Sequence, residues 1–471
     1  MDPKCSVIDH EAEAGPDAPI PRCTAAYVNQ DEPFRVTDRS YEKQYAQLYF
    51  ARLSMMAKVM QAQVAKNWPG IELLKILEVG SREGSQALAV IGTLYKNQKM
   101  KPSILDEYSK DRGLRAALGA SSFCSQDDSL VLEDEGARMA LQGDCLPVHS
   151  LVTGVVVAVR GVYELGGDFA VQDVLYAEMA PQVPRPLMQA DKYVALVSGL
   201  KLSSSNTNKL LIHLAVDMLT GMLEEEVGLA AQVVRLVVAG GSVGSLDTIA
   251  QANQYSKHQL ALQPIKELDA YCAELGCALP LDIMPGAEDP TNVALPQQPL
   301  HRCLLPGSSR CPELVRATNP HAFQLDGVRL LGTSGQPVDD MVKYSQQPDR
   351  LAVLEWSLRW RHLAPTAPDT LTTYPFHDRD PFILDATPHV LFAGNQPEFA
   401  TRMATGAGGQ AVRLIAVPSF HRTGCLVLLN LRSLECRPVC FGCSLGDGQP
   451  ATPTPPAVAA SGQDAAAVMA Q

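Results

Sequence analysis

In the second half of the chain, short apolar runs repeatedly end in a turn that contains glycine. These runs cover residues 193–197, 233–239, 281–284, 327–331 and 389–393. Helical stretches near 210–219, 255–275 and 350–362 separate some of them, and two more apolar runs, 412–417 and 425–431, follow. Apolar strands that alternate with helices predict an α/β domain in which a mixed sheet is layered with helices.

The first half of the chain has a different pattern. Residues 40–68 predict one long helix, because apolar side chains recur there at spacings of three and four, and Pro69 and Gly70 end it. The apolar stripe on this helix comprises Tyr41, Tyr45, Leu48, Tyr49, Leu53, Met56, Val59 and Met60. We interpret this stripe as core, and a groove that faces a partner is the alternative.

Five strand-like runs follow the helix, at 89–95, 129–134, 137–142, 152–161 and 169–176. Glu135 and Gly136 join the second to the third as a tight hairpin, and residues 166–168 join the fourth to the fifth. Five short strands in about ninety residues predict an all-β module, an oligonucleotide/oligosaccharide-binding (OB) barrel. Because residues 71–180 hold ten Lys/Arg and sixteen Asp/Glu, we expect this barrel to dock proteins rather than grip nucleic acid.

Composition sets the domain plan and the class of partner. The 471 residues are 46% hydrophobic and carry a net charge of −12, which disfavours general binding to a phosphate backbone. The Pro-rich joint at 181–186 divides a helix and OB domain at 33–180 from an α/β domain at 187–445. Residues 1–32 and 446–471, rich in small and polar residues, are predicted to be disordered tails.

The twelve cysteines are scattered, and we expect reduced, mostly buried thiols. The start of the chain lacks the pattern of a secretory leader, and no apolar segment is long enough to span a bilayer. Cys436, Cys440 and Cys443 form the one tight group, with His421 as the nearest further ligand. Structural zinc sites use four ligands at defined spacing, so we favour ordinary thiols over a zinc site.

The loops after the α/β strands are where an open sheet of this kind binds ligands. Their residues are Ser198, Gly199 and Leu200; Gly240, Gly241 and Ser242; Pro285, Gly286, Glu288 and Asp289; a turn at 332–335; and Gly394 and Asn395. The order and glycine placement of these loops resemble the calcineurin-like metallophosphoesterases. In that family, the equivalent loops carry the Asp, Asn and His ligands of two metal ions that activate water.

The resemblance implies that most metal ligands have been replaced. Ser198 and Leu200 stand where Asp and His belong, and Gly241 stands where the family has an Asp that bridges the two metals. Asn395 and Pro397 replace the histidines of the last motif. The remaining candidate donors, Glu288, Asp289 and Asn395, are too few for two divalent ions, since one site needs about four to six donors. We therefore expect no catalytic residue, no metal and no other cofactor.

Longer strings resemble one family more closely, the B subunits of replicative DNA polymerases, of the delta type. They are DIMPG at 282–286, DPTN at 289–292, LPQQPLH at 295–301, TNP at 318–320, DGVR at 326–329, LGTSGQ at 331–336 and PTAPDTL at 365–371. Shorter matches lie at 44–46, 101–105, 132–135 and 151–154. The resemblance covers roughly residues 33–445.

This resemblance implies an accessory subunit that works in the nucleus in DNA replication and repair. Its expected partners are the cysteine-rich C-terminal domain of the catalytic subunit and a third subunit that leads to the sliding clamp. Contact with DNA would be indirect, and none with a membrane is expected. Trp356 and Trp360, four residues apart on one helix, lie on one face that is either core or partner surface.

Three alternatives remain open at this point. One is an active phosphodiesterase or nuclease with substitute ligands, and another is a B subunit of polymerase alpha or epsilon. The third is a serine hydrolase, because residues 240–244 fit G-x-S-x-G after a strand. Its nucleophile would be Ser242, with Asp369 and His389 as acid and base. The phosphoesterase-like interpretation accounts for five loops and the hydrolase interpretation for one.

Overall fold

The computed structural model describes residues 20–37, 39–40, 42–80, 87–101, 122–164, 167–244 and 254–442, with the backbone alone at 225 and 254–261. Within these residues the strands form three six-stranded sheets, one in the first half of the chain and two built mainly from the second half. The predicted fold class, an OB barrel followed by a layered mixed-sheet α/β domain, is confirmed.

The first sheet is the OB barrel, with strand order β2-β3-β4-β5-β7-β6 and a pairing of β3 with β6 that closes it. Its strands are β2 (Glu72–Leu74), β3 (Leu88–Asn97), β4 (Ser129–Glu133), β5 (Arg138–Gln142), β6 (Val156–Tyr163) and β7 (Asp168–Leu175). All five predicted strands are present, and the predicted hairpins join β4 to β5 and β6 to β7 as antiparallel pairs. The short β2 was not predicted.

Helix α1 (Ala46–Asn67) packs against the barrel, and the one-turn helix α2 (Ile76–Val79) follows β2. The inward face of α1 buries Leu48, Met56, Met60 and Val64, and three of these four contact apolar side chains of the barrel wall. The helix begins six residues later than the predicted start at residue 40. Of the predicted stripe, Leu48, Leu53, Met56 and Met60 are buried, so the core interpretation is correct for them. Tyr45 is exposed, and Tyr41 lies outside the described residues.

The second half of the chain, joined by the early strand β1, forms a sandwich of two sheets. Their strand orders are β1-β12-β13-β14-β16-β15 and β11-β10-β9-β8-β17-β18. The strands of the first are β1 (Tyr27–Asn29), β12 (His321–Leu325), β13 (Val328–Thr333), β14 (Val390–Gln396), β16 (Ala411–Pro418) and β15 (Ala400–Thr405). Those of the second are β11 (Leu314–Arg316), β10 (Leu281–Met284), β9 (Val233–Ala239), β8 (Tyr193–Val197), β17 (Cys425–Asn430) and β18 (Cys436–Cys440).

Helices cover the outer faces of the sandwich. They are α3 (Lys209–Thr220), α4 (Val227–Gln232), α5 (Gln254–Ala278), α6 (Gln336–Tyr344), α7 (Arg350–Arg359) and α8 (Phe420–Thr423). One apolar core lies between the two sheets, and a second lies under α3 and α5. A third core runs from inside the OB barrel to α6, α7 and the adjoining sheet, so the barrel and the sandwich share buried apolar surface.

A buried arginine joins the barrel side of the molecule to the sandwich side. Arg52 on α1 is fully buried, and its Nε donates to Asp380 Oδ2 at 2.7 Å. Its other nitrogens donate to the carbonyl oxygens of Gly154, Pro365 and Ala367 at 2.6–3.1 Å. Burial opposes ionisation of Asp380, but the charges of His362 and Arg52 hold its pKa well below the usual range.

The prediction of a loose tail over residues 1–32 is wrong for residues 20–32. Strand β1 pairs antiparallel with β12, and Asp31 just after it is completely buried. His321 contacts Asp31 Oδ1 through Nδ1 at 2.7 Å and Asp282 Oδ2 through Nε2 at 3.2 Å. Sequence composition missed this segment because three residues suffice for the strand and their partners lie almost 300 residues away. Residues 1–19 and 443–471 lie outside the described residues.

The buried His321 is expected to make stability depend on pH. Burial acts to lower the pKa of His321, but the hydrogen bonds to Asp282 and Asp31, together with the negative charges of these two carboxylates, raise this pKa from 6.5 to about 9. A raised pKa in the folded state gives stability that is complete below pH 6.5 and is lost as pH rises through about 9. At 1.36 kcal/mol per pKa unit this contribution is roughly 3 kcal/mol.

Urea unfolding of wild type and His321→Gln at pH 6, 7, 8, 9 and 10 measures this contribution. The difference in unfolding free energy between the two proteins should be largest at pH 6 and shrink steadily towards pH 10. Gln47→Ala, which replaces an exposed side chain that carries no titratable group, is the control and should differ from wild type equally at every pH. A His321→Gln difference independent of pH would show that His321 is not protonated in the folded protein.

Two cysteine predictions are wrong. Mostly buried thiols were expected, but among the free cysteines that the structure describes only Cys272 is buried and three are exposed. Cys425 on β17 and Cys440 on β18 are directly opposite each other and form a disulfide, where the sequence predicted free thiols. Cys440 is therefore not available as a zinc ligand, and Cys443 lies outside the described residues. His421 Nδ1 is instead hydrogen-bonded to Ser419 Oγ at 2.9 Å.

Among the described helices, none has both the length and the apolar character that crossing a bilayer requires.

Candidate functional site

The glycine-containing loops meet at the carboxyl ends of the parallel strands β8, β9, β10, β13 and β14. Gly199 and Gly241 have positive φ angles of 64° and 70°, which only glycine adopts freely. A Cβ on Gly199 would lie 2.1 Å from Ser419 Oγ, and one on Gly241 would lie 2.3 Å from Asn395 Oδ1. The loops therefore touch one another, and glycine is required for close approach rather than to leave room for a ligand.

Asp289 is the central side chain of this region. Its carboxylate accepts hydrogen bonds from the backbone N–H groups of Gly241, Val243 and Gly286 at 2.8 Å and of Ser242 at 3.3 Å. Burial raises the pKa of Asp289, and the same backbone hydrogen bonds act against this increase. A carboxylate has about four positions that accept hydrogen bonds, and these four bonds match that number. Asp289 therefore holds two loops together.

Asn395 closes the pocket from the opposite side. Its backbone N–H donates to Ser198 Oγ at 2.8 Å, and Ser198 Oγ donates to the carbonyl oxygen of Pro418 at 3.1 Å. The Asn395 side-chain Nδ2 donates to the carbonyl oxygens of Ser334 at 2.8 Å and Ala239 at 3.3 Å. Asp289 and Asn395, the two candidate metal ligands near the centre, are thus hydrogen-bonded to protein groups.

A cluster of neutral side chains, which sequence reasoning did not assign, lies beside these loops. Asn319 Nδ2 donates to Gln297 Oε1 at 2.8 Å and to Ser334 Oγ and Gln336 Oε1 at 3.0 Å. Gln297 Nε2 in turn donates to the carbonyl oxygen of Gly286 at 3.0 Å. Gln297, Asn319 and Gln336 lie within the strings quoted above, which is the one sequence signal that pointed to them. Amides hold this side of the pocket.

The remaining predicted loop residues do not add donors at the centre. Glu288 is partly exposed and pairs with Lys201 at 3.3 Å. Leu200 is buried in the core under α3 and α5, and a Cβ on Gly394 would lie 2.5 Å from the carbonyl oxygen of Ala239. Pro285 is likewise close-packed, with its carbonyl oxygen 2.9 Å from a Cβ placed on Gly240. Two of the predicted residues, Asp289 and Asn395, therefore occupy the centre.

The serine hydrolase alternative lacks the geometry it needs. Ser242 is completely buried, and its hydroxyl has no hydrogen-bond partner in the described part of the chain. Asp369 instead accepts two hydrogen bonds from Lys101 Nζ at 2.6 and 2.7 Å. His389 bonds through Nε2 to the carbonyl oxygen of Val183 at 2.8 Å. Asp369 and His389 thus have partners of their own, and neither orients the Ser242 hydroxyl.

The donor set does not fit a metal centre. Two-metal hydrolysis needs ligands that hold both ions about 3.5–4 Å apart and leave a position for water. Within the described residues, no group of three or more His, Cys, Asp or Glu side chains is placed to bind a metal ion. The region contributes instead a packed set of loops held by Asp289, Asn395 and the neighbouring amides.

Trp356 and Trp360 lie together, with ring centroids 5.3 Å apart. Trp360 is buried, and Trp356 is partly buried against the core shared by the barrel and the sandwich. The partner-surface interpretation is therefore wrong for Trp360. Trp360 directly follows α7 and belongs to the core shared by the barrel and the sandwich, which the spacing of the two residues alone did not indicate.

Two family models match the chain. The model of the OB-fold domain of the DNA polymerase delta subunit matches residues 44–174, which include the barrel strands. The model of the B subunit of DNA polymerases alpha and epsilon matches residues 194–401, which include the loops around Asp289 and Asn395.

Full-length relatives decide the family. The DNA polymerase delta small subunit of Arabidopsis thaliana is 47% identical over 422 residues, covering 88% of this chain and 95% of the relative. The chain belongs to the DNA polymerase delta small-subunit family. The Oryza sativa small subunit is 44% identical, covering 90% of this chain and 99% of the relative. The Drosophila melanogaster DNA polymerase delta subunit 2 is 36% identical, covering 89% and 98%.

Membership in the delta small-subunit family confirms the family resemblance inferred from the sequence strings. It favours the delta type over the alpha and epsilon alternatives, because the relatives that match over most of their length are delta subunits. The chain is thus a subunit of DNA polymerase delta, with a role in DNA replication.

Proposed function

We propose that this chain is a non-catalytic scaffold of the DNA polymerase delta complex. It binds the cysteine-rich C-terminal domain of the catalytic subunit and a third subunit that leads to the sliding clamp. It reaches DNA indirectly, through those partners, and works in the nucleus. The observation that carries the non-catalytic part is the arrangement of Asp289, whose carboxylate bonds to four backbone N–H groups.

The chemistry of the packed loops supports the absence of hydrolysis. A phosphoesterase needs a metal-activated water and a clamp on the phosphoryl oxygens. Ser198 and Gly241 offer no carboxylate or imidazole ligand, and Asn395 offers one amide oxygen, which is too little for two divalent ions. Ligand replacement and close packing therefore act together, since restoring one side chain would leave no room for two ions and a substrate.

The architecture and charge support the scaffold role. The barrel and the sandwich share one apolar core, and Arg52 joins them, so they present a rigid composite surface. A chain with net charge −12 is poorly suited to holding DNA phosphates directly. This subunit lacks both the positive charge that binds DNA phosphates and the catalytic metal ligands. Its most direct contribution to a polymerase is therefore to position other subunits.

Metal titration and a hydrolysis assay test the non-catalytic half of this proposal. Isothermal titration of Mn²⁺ into the purified chain should show no stoichiometric binding at the loops. Turnover of bis(p-nitrophenyl) phosphate in Mn²⁺ should match the rate without protein. Asp289→Asn and Asn395→Ala serve as matched variants and should leave these baselines unchanged. Mn²⁺-dependent hydrolysis by wild type that both variants abolish would show that the loops are an active centre.

A further inference from the structure

A groove runs along the barrel, on the surface of the molecule between α1 and the β4–β5 hairpin. It consists of two adjoining clefts of about 770 and 510 Å³. The clefts share Leu53 on α1 and residues 134–136 at the hairpin tip, so they form one continuous depression. Helix α2 and β2 border its far end.

Apolar side chains on both walls of this groove are exposed to solvent. Phe50 on α1 lines the first cleft and is 45% exposed, and Leu77 on α2 lines the second cleft and is 68% exposed. Leu73 on β2 is also exposed, and Leu53 forms a buried floor between the walls. Apolar surface that is contiguous, concave and rimmed by polar groups is typical of a protein interaction site.

The rim of the groove is acidic. Five carboxylates line the two clefts together with two cations, Lys75 and Arg138, and a third cation, Lys101, pairs with the lining residue Asp369 at 2.6 Å. The carboxylates belong to Glu78, Glu133, Asp134, Glu135 and Asp369. The ion pairs Lys75–Glu135 at 3.6 Å and Arg138–Glu133 at 3.7 Å are largely exposed, and such pairs are weak enough to exchange for pairs with an incoming partner.

The groove is held open by hydrogen bonds that do not depend on a partner. Asp134 accepts from the backbone N–H of Ile76 at 2.8 Å, which ties the hairpin to the start of α2. It also accepts from the N–H groups of Gly136 and Ala137 at 2.8 and 2.9 Å. A preformed groove of this kind loses little conformational freedom on binding.

We propose that this groove binds a basic amphipathic helix of another protein subunit. Apolar side chains at spacings of three and four would contact Phe50, Leu53 and Leu77, and Lys or Arg side chains would face the acidic rim. The rim repels nucleic acid, and a second copy of this chain, with net charge −12, would bring like charge to it. The inference rests on the proposed scaffold role but does not depend on which subunit supplies the helix.

Photo-crosslinking within the assembled complex tests this proposal. The full-length chain, with a photo-reactive amino acid at the exposed groove position Gln61, is co-expressed with the catalytic and third subunits. The matched control carries the same group at Lys66, which is exposed on α1 outside the groove. We expect Gln61 to crosslink to a segment with net positive charge and apolar residues at spacings of three and four. An acidic segment, a nucleic acid, a second copy of this chain, or equal crosslinking from Lys66 would overturn the proposal.

Substitutions in the groove give an independent test. Leu77→Asp and the double variant Glu133→Lys/Glu135→Lys should each lower retention of the crosslinked subunit at least tenfold in 300 mM salt. Met222→Asp, at an exposed apolar position outside the groove, should retain it like wild type. Assembly of all groove variants like wild type would overturn the groove and leave the scaffold role intact. Failure of wild type itself to assemble would overturn the scaffold role and, with it, the groove.

Discussion

Replacing Arg52 with Met is expected to lower the free energy of unfolding by about 3–5 kcal/mol, because it leaves a buried carboxylate without its guanidinium partner. Arg52 and Asp380 are both completely shielded from solvent, and Arg52 also bonds to three backbone carbonyls. Urea unfolding followed by tryptophan fluorescence measures the loss. Because the arginine lies where α1, the barrel and the sandwich meet, we also expect earlier proteolysis between the two halves.

The control for this prediction is on the same helix. Lys58→Met removes a cation at an exposed position of α1 and should change the unfolding free energy by less than about 0.5 kcal/mol. The double variant Arg52→Met/Asp380→Asn should be more stable than the sum of the two single losses implies, since it removes both charges. Additive losses would mean that Arg52 stabilises the fold through its packing and its hydrogen bonds to backbone carbonyls, without coupling to Asp380.

Replacing Asp289 with Ala is expected to cost about 3 kcal/mol or more of unfolding free energy. The carboxylate is buried and accepts from the backbone N–H groups of Gly241, Ser242, Val243 and Gly286. Each buried donor left without a partner costs about 1–3 kcal/mol, less whatever the loops recover by relaxing. Asp289→Asn should fall between Ala and wild type, because one amide oxygen still accepts from part of the set.

The neighbouring residue provides a matched control. Glu288→Ala removes a carboxylate that is partly exposed and paired with Lys201, and should cost less than about 1 kcal/mol. Both variants are measured with and without EDTA. Equal losses for Asp289→Ala with and without EDTA fit a structural carboxylate. A loss that appears only when divalent metal is present would identify Asp289 as a metal ligand.

Most of the fold could be predicted from strong local patterns in the sequence. The barrel strands and the central sandwich strands were predictable from the placement of their apolar residues between turns. These residues either alternate along the strand or occupy both of its faces, as in Val233–Ala239. The strands that were missed are short and belong mainly to sheet edges, such as Leu314–Arg316 and Tyr27–Asn29. Their strand geometry comes from pairing with residues distant in the chain, which a local pattern does not contain.

The candidate site was predictable only in outline. The glycine loops and the loss of metal ligands could be predicted from the sequence. Ser198, Gly241 and Asn395 stand at positions where the metallophosphoesterases have Asp or His. The hydrogen bonds that fill the pocket could not be predicted from the sequence, because the partners of Asp289 are backbone N–H groups. Three of these groups lie more than forty residues away in the chain. A side chain that bonds to backbone leaves no residue-type signature in its partners. Helix α6 was missed, although Pro337 in its first turn is a start signal.

The central claim is that the chain assembles polymerase subunits, and co-purification tests it most directly. The full-length chain is co-expressed with the cysteine-rich C-terminal domain of the polymerase delta catalytic subunit from the same source. Size-exclusion chromatography with light scattering then measures the mass of the eluting species. We predict one peak at the mass of a one-to-one complex at micromolar concentration. Separate elution of the two proteins at that concentration would contradict the scaffold role.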